Sequence, residues 1–100
     1  MISFRAIARS LRTQISNAAE SIPFNIVEGC GSSTQKELAR FLDISIKSTS
    51  ELEYQLRLAA DYKIIGPTHA QALSAETIEV RKMLFGLRSK VLGSDSDENA

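Results

Sequence analysis

Residues 34–59 read TQKELARFLDISIKSTSELEYQLRLA, and their spacing decides the fold. Leu38, Leu42, Ser45, Thr49, Leu52, Leu56 and Ala59 recur at alternating intervals of four and three, which is the seam of a helix built on heptads. Thr34 followed by Glu37 makes a capping box and fixes where this helix starts. The middle of the seam is small and hydroxylic, with Ser45, Ser48, Thr49 and Ser50. Such residues predict close approach of a neighbouring helix, their hydroxyls bonded to backbone carbonyls one turn back. A polar binding groove is the other reading. A second stripe, Phe41, Ile44, Leu58, Tyr62 and Ile65, widens the apolar face beyond one seam.

Toward the N-terminus, Phe4, Ala8, Leu11, Ile15, Ala18, Ile22 and Ile26 step by three or four and predict a helix over residues 3–30. Pro23 lies inside it and removes the amide that would bond the carbonyl of Ala19, so a kink is expected there. Gly29 and Gly31 end the segment, with a left-handed glycine expected at the close. Toward the C-terminus, Gly66 and Pro67 break the chain, and Thr68 with Gln71 can cap the next helix. That helix runs to about Leu92 on a seam of Leu73, Thr77, Val80, Leu84, Leu87 and Val91, with a second stripe at Ile78, Phe85 and Leu92. The expected fold is all-α, an antiparallel up-down bundle of three helices over residues 1–92, kinked at Pro23. The acidic residues 93–100, GSDSDENA, are expected to be a disordered tail. The apolar stripes exceed what three helices bury among themselves, which favours a homo-oligomer.

The chain has 100 residues, 43% of them apolar, with twelve Lys and Arg against twelve Asp and Glu. This is one domain of ordinary globular composition. No apolar run approaches a membrane span, no signal-peptide core follows the N-terminus, and the single cysteine excludes an internal disulfide framework. An intracellular, cytoplasmic protein is expected. Residues 1–92 hold all twelve bases against nine acids, and the first nineteen residues contain Arg5, Arg9 and Arg12 with no acid. That stretch is the one locally basic segment, either a solvated helix face or a contact surface for phosphate or an acidic partner.

The search for chemistry is largely negative. His69 is the only histidine, Cys30 fits no metal motif with the acids, and no Ser-His-Asp set or P-loop occurs. No metal and no cofactor are expected, and neither is catalysis. Glu51 and Glu53, two apart, point to different helix faces and cannot act as a pair. One polar set stands out beside the proline: Asn25 is placed to donate to a carbonyl freed by the kink, and Glu28 follows three residues on, on the same face.

The stretch LRTQISNAAESIPFNIVEGCG, residues 11–31, resembles the signature of the four-helix-bundle proteins encoded in 23S rRNA intervening sequences. Leu11, Gln14, Ala18, Ala19, Ser21, Ile22, Pro23, Asn25, Ile26, Glu28 and Gly29 carry the match. Ser48, Ser50, Glu51, Leu52, Glu53, Gln55 and Leu56 match the family's later Ser-Glu-Leu-Glu segment, and RKMLFGLRSKVL is similar to its close. The resemblance covers roughly residues 11–92. Two departures stand against it. The family's first helix has no counterpart here, and the paired arginines before Ala18 are Ser16 and Asn17.

The resemblance implies an antiparallel bundle in a ring-shaped oligomer, often a pentamer. It also implies kinship with the accessory variability determinant of diversity-generating retroelements, a basic protein that binds a reverse transcriptase and nucleic acid. Two readings follow. One is a non-enzymatic oligomeric protein that binds RNA or an RNA-associated, reverse-transcriptase-type partner, with contacts at Arg5, Arg9, Arg12, Lys36, Arg40 and Lys47. The other is a structural or protein-interaction module in which Ser21, Ile22, Pro23, Asn25, Glu28 and Gly29 serve only the kink and the packing.

Overall fold

The computed structural model describes residues 2–99, with side chains described through Gly93. Three helices follow in chain order: α1 (Phe4–Cys30), α2 (Gln35–Asp61) and α3 (Pro67–Asn99). The acidic stretch 93–100 falls on the last turns of α3 and beyond, almost wholly outside the residues whose side chains are described. Thr34 caps α2 as expected, its hydroxyl accepting the Glu37 amide at 3.1 Å. The start of α3 differs from expectation. Pro67 is its first residue, so Thr68 lies inside the first turn and the Gly66 carbonyl takes the Ala70 amide at 3.0 Å. Proline suits that place because its missing N–H has no intrahelical partner there.

The helix ends also correct the glycine reading. Gly31 closes α1 with φ −87° and ψ 0°, in the right-handed region. The left-handed residue is Lys63 (φ 59°), just past α2, where the Lys63 and Ile64 amides fold back onto Ala60 and Ala59. The break therefore begins at Tyr62, four residues before Gly66.

α1 and α2 are antiparallel and close. Ser45 Oγ donates to the Ile22 carbonyl at 2.9 Å in a buried bond, and the Ser21 and Ser48 hydroxyls meet at 2.8 Å. Nearer the connecting loop, Gly29 is backed by Leu38 and Phe41 so closely that an added Cβ would lie 2.8 Å from Leu38 Cδ1 and 3.0 Å from Phe41 Cβ. The local bonding expected of the hydroxyls is found for Ser48, to Ile44, and for Thr49, which reaches Ile46 at 2.6 Å. Ser45 instead bonds across the interface.

α3 runs up the other side of α2. Arg81 pairs with Glu53 at 2.8 Å and Arg88 pairs with Asp43. Ala70, Thr77, Leu84 and Val91, spaced by seven, are its buried seam. A central cluster of Ile22, Ala39, Leu42, Leu84 and Val91 joins the three helices through α2. Among the described residues no Cα of α1 lies within 8 Å of one in α3. The result is an all-α up-down bundle with α2 in the middle and an open groove between α1 and α3. Of the second stripes read from the spacing, Phe85 (51%) and Tyr62 (43%) are exposed, while Phe41, Ile44, Leu58, Ile65, Ile78 and Leu92 are half-buried.

Two α-helical glycines with opposite surroundings make a paired test. Gly29→Ala must displace Leu38 and Phe41, and overpacking of about 1–3 kcal/mol outweighs the helix-propensity gain of about 1 kcal/mol. Gly86 has nothing within 4 Å of an added Cβ, so Gly86→Ala should stabilise by about 0.5–1 kcal/mol. Urea midpoints should move in opposite directions; a shift of the same sign in both would contradict the packing described.

Candidate nucleic-acid interface

α1 carries the densest charge of one sign. Ser3 caps it by accepting the Ala6 amide at 3.1 Å, and its first turn contains no acid. Arg5, Arg9 and Arg12 follow at intervals of four and three, all exposed. A helix N-terminus already behaves as about half a positive charge, so cations there oppose the macrodipole at a cost of roughly 0.3–1 kcal/mol each. Among the described residues none of the three has an acidic partner within 4.0 Å. The row therefore concentrates positive potential that nothing among the described residues neutralises.

The three arginines share a shallow depression with Phe4 and Ala8. Phe4, expected to open the buried stripe, is instead 58% exposed, and the stripe begins at Ala8. An aromatic face beside guanidiniums is what single-stranded nucleic acid uses, since bases stack on the ring while phosphates take the cations. The signal in the sequence is its position at the very first turn, beyond the end of α2's apolar seam, where Phe4 has nothing to pack on.

The other basic candidates lie elsewhere. Lys36, Arg40 and Lys47 are exposed on α2, spaced by four and seven along one face. Because the helices are antiparallel, Lys36 and Arg40 sit at the loop end, and Lys36 is about 30 Å along the axis from the level of Arg12 at 1.5 Å per residue. Arg40 is also engaged, at 3.8 Å from Glu37 and stacked 4.7 Å from the centre of the Phe41 ring. The six basic candidates thus form two groups rather than one surface.

Within the proline segment Ser21, Ile22, Asn25 and Gly29 pack or bond inside the chain. Asn25 is 8% exposed, and its Nδ2 donates to the Ser21 carbonyl at 2.8 Å and the Ser21 hydroxyl at 3.0 Å. The carbonyl it reaches is that of Ser21 rather than Ala19. Ala19 and Pro23 both face solvent, where water can bond the carbonyl that proline leaves open. Ile22 is buried and Gly29 is the close-contact point with α2. Glu28 is exposed, and among the described residues Asn25 bonds Ser21 and not Glu28. Glu51 and Glu53 diverge as expected. Glu53 turns to Arg81, while Glu51 lines a polar groove between α1 and α2 with Gln14, Asn17, Ser21, Ser48 and Gln55. Gln55 Oε1 is buried there without a hydrogen-bond partner, so it requires a donor from water or from outside the chain.

Among the described residues no group of His, Cys, Asp and Glu is arranged to hold a metal ion. Cys30 is an exposed free thiol and His69 is exposed in the first turn of α3. No described helix is long and apolar enough to cross a membrane.

If Asn25 is a structural bond and Glu28 is not, stability separates them. Asn25→Ala removes two partly buried hydrogen bonds and should cost about 1–2 kcal/mol, whereas Glu28→Gln should stay within about 0.5 kcal/mol of wild type. Chemical denaturation of the two variants reads the difference, and equal losses would show that Glu28 has a partner.

No curated protein and no solved structure matches the chain. A sequence model of one family does, over residues 5–86, a span that takes in the arginine row, the proline segment, the whole of α2 and most of α3. With more than half of its length matched, this chain belongs to the 23S rRNA-intervening sequence protein family.

Proposed function

We propose that this protein is a non-enzymatic helical bundle that associates with copies of itself and binds RNA through the N-terminal end of α1. The observation that carries the reading is the acid-free, unpaired row Arg5–Arg9–Arg12 with the exposed ring of Phe4 beside it. Family membership supports it in kind, because the family is named for an element inside an rRNA gene. Charge alone makes one copy a weak binder, since three phosphate contacts give little affinity at physiological salt. Association of copies repeats the row and raises effective concentration, so contacts that are weak singly become retention. Ser16 and Asn17, where relatives of this signature carry arginines, limit the strength of binding.

A protein-interaction module without nucleic acid is the second reading. It is favoured by the apolar side chains left in solvent, Phe24, Val27, Met83 and Phe85 among them.

Filter retention of single-stranded RNA at low salt separates the two. Wild type should retain RNA, and affinity should fall with salt. Replacing Arg5, Arg9 and Arg12 with Gln should flatten the slope of log affinity against log salt by roughly 0.7 for each phosphate of a single strand that is no longer neutralised. Phe4→Ala should weaken binding with little change of slope, because stacking releases no counterions. Absence of retention by the wild type at low salt leaves the interaction-module reading standing.

A further inference from the structure

Where α1 meets α2, a polar groove of about 350 Å³ opens, its polar lining Gln14, Asn17, Ser21, Ser48, Glu51 and Gln55. At 3.6 residues per turn, Gln14, Asn17 and Ser21 are centred about 150° round α1 from Arg5, Arg9 and Arg12. The groove and the arginine row are therefore separate surfaces. They also differ in sign, because the one charged residue of the groove lining is Glu51.

The protons of the groove are spent inside the chain. Asn25 Nδ2 donates to the Ser21 hydroxyl at 3.0 Å. The Ser48 hydroxyl donates its one proton to the Ile44 carbonyl at 3.1 Å, so Ser21 is the donor in its 2.8 Å contact with Ser48. Each of the two hydroxyl oxygens keeps one lone pair and has no proton left for a ligand. Gln14 spends an amide proton on the Ser10 hydroxyl at 3.2 Å. Gln55 Oε1 is buried and receives no hydrogen bond. Glu51 is exposed, and among the described residues it has no cation within 4.0 Å, Lys47 one turn earlier included. Asn17, on the exposed rim, is able to turn either end of its amide to a ligand. The lining is thus a set of acceptors around one negative charge, short of donors.

We infer that this groove binds a guanidinium group, carried by a free guanidino compound or by an arginine side chain of a partner. A guanidinium is planar and always charged, and it brings five N–H donors and no acceptor, which complements the lining. One edge pairs with the Glu51 carboxylate in a charge-assisted fork. The remaining donors supply Gln55 Oε1 and the lone pairs of Ser21 and Ser48. An ammonium answers the charge but concentrates three donors at one point, and it spans these acceptors less well. A phosphate meets repulsion from Glu51 and finds few donors. The site does not depend on the RNA reading of the arginine row.

Saturation-transfer difference NMR on the full chain tests it, with N-acetylarginine amide, N-acetylcitrulline amide and N-acetyllysine amide as probes. The arginine probe should bind at least about tenfold more tightly than citrulline, which keeps the shape without the charge. Agmatine and a capped Gly-Arg-Gly peptide separate the two sources: the tighter binder shows whether the group arrives free or on a chain. Glu51→Gln should weaken the arginine probe on the order of tenfold. Asn17→Asp, which adds a carboxylate on the exposed rim, should tighten it severalfold, and Glu28→Gln, outside the lining, should leave it unchanged. Gln55→Leu should weaken binding while the urea midpoint holds or rises, because an acceptor without a partner stabilises nothing. A lowered midpoint with unchanged binding would make Gln55 a structural residue and overturn its part in the site. Failure of the arginine probe to bind, equal binding of all three probes, or an affinity indifferent to Glu51 and Asn17 overturns the inference. So does loss of RNA retention in Glu51→Gln with no probe bound, which assigns the groove to a nucleobase edge instead.

Discussion

The buried bond from the Ser45 hydroxyl to the Ile22 carbonyl forms only if the backbones of α1 and α2 lie close together. Everything near it permits that approach. Ser21, Ser48 and Ala18 are small, and Gly29 has no room even for a methyl group. The bond also answers a local difficulty. A residue before proline is disfavoured in the helical region, and Ile22 is such a residue. Its side chain is held in the core and its carbonyl is held by Ser45, so α1 continues through Pro23. With α1 fixed so closely on one side of α2, and α3 tied to the other by Glu53–Arg81 and Asp43–Arg88, the outer helices have no common surface. The open groove is a consequence of that pairing.

Much of this is legible from spacing. The heptads of α2 place the right residues inside, and of the seam read in α3 Thr77, Leu84 and Val91 are buried while Leu87 is 43% exposed. The Thr34 capping box fixes one boundary to the residue. What spacing does not show is how the hydroxyls divide their bonds. Ser48 and Thr49 bond locally, as residues of their kind do, but Ser45 faces a carbonyl on another helix, and only the register of α1 against α2 puts it there. The turn after α2 escapes the sequence for a different reason. Gly66 and Pro67 are the obvious breakers, while the chain turns earlier at Lys63, a residue with no particular preference for a positive φ.

The candidate site is legible only in part. Arg5, Arg9 and Arg12 are adjacent in sequence and on one helix, so their clustering needs no tertiary information. Lys36, Arg40 and Lys47 join them on charge alone, and the antiparallel connection separates them. Phe4 fits the core stripe by its interval from Ala8. Periodicity reports which side of a helix a residue is on, and it does not report whether the neighbouring helix extends far enough to cover it.

The proline segment shows how a specific sequence signature can be structural. Ser21, Ile22, Asn25 and Gly29 each have a defined partner within the chain: a hydroxyl, a core cluster, a carbonyl and a packed side chain. A residue whose bonds are already made has little left for a ligand. The arginine row and the Glu51 and Gln55 side of the polar groove, both outside that segment, are where internal partners are wanting. Among the described residues Arg5, Arg9 and Arg12 have no acidic partner, so their guanidiniums are the basic groups of α1 whose bonding the chain itself leaves open.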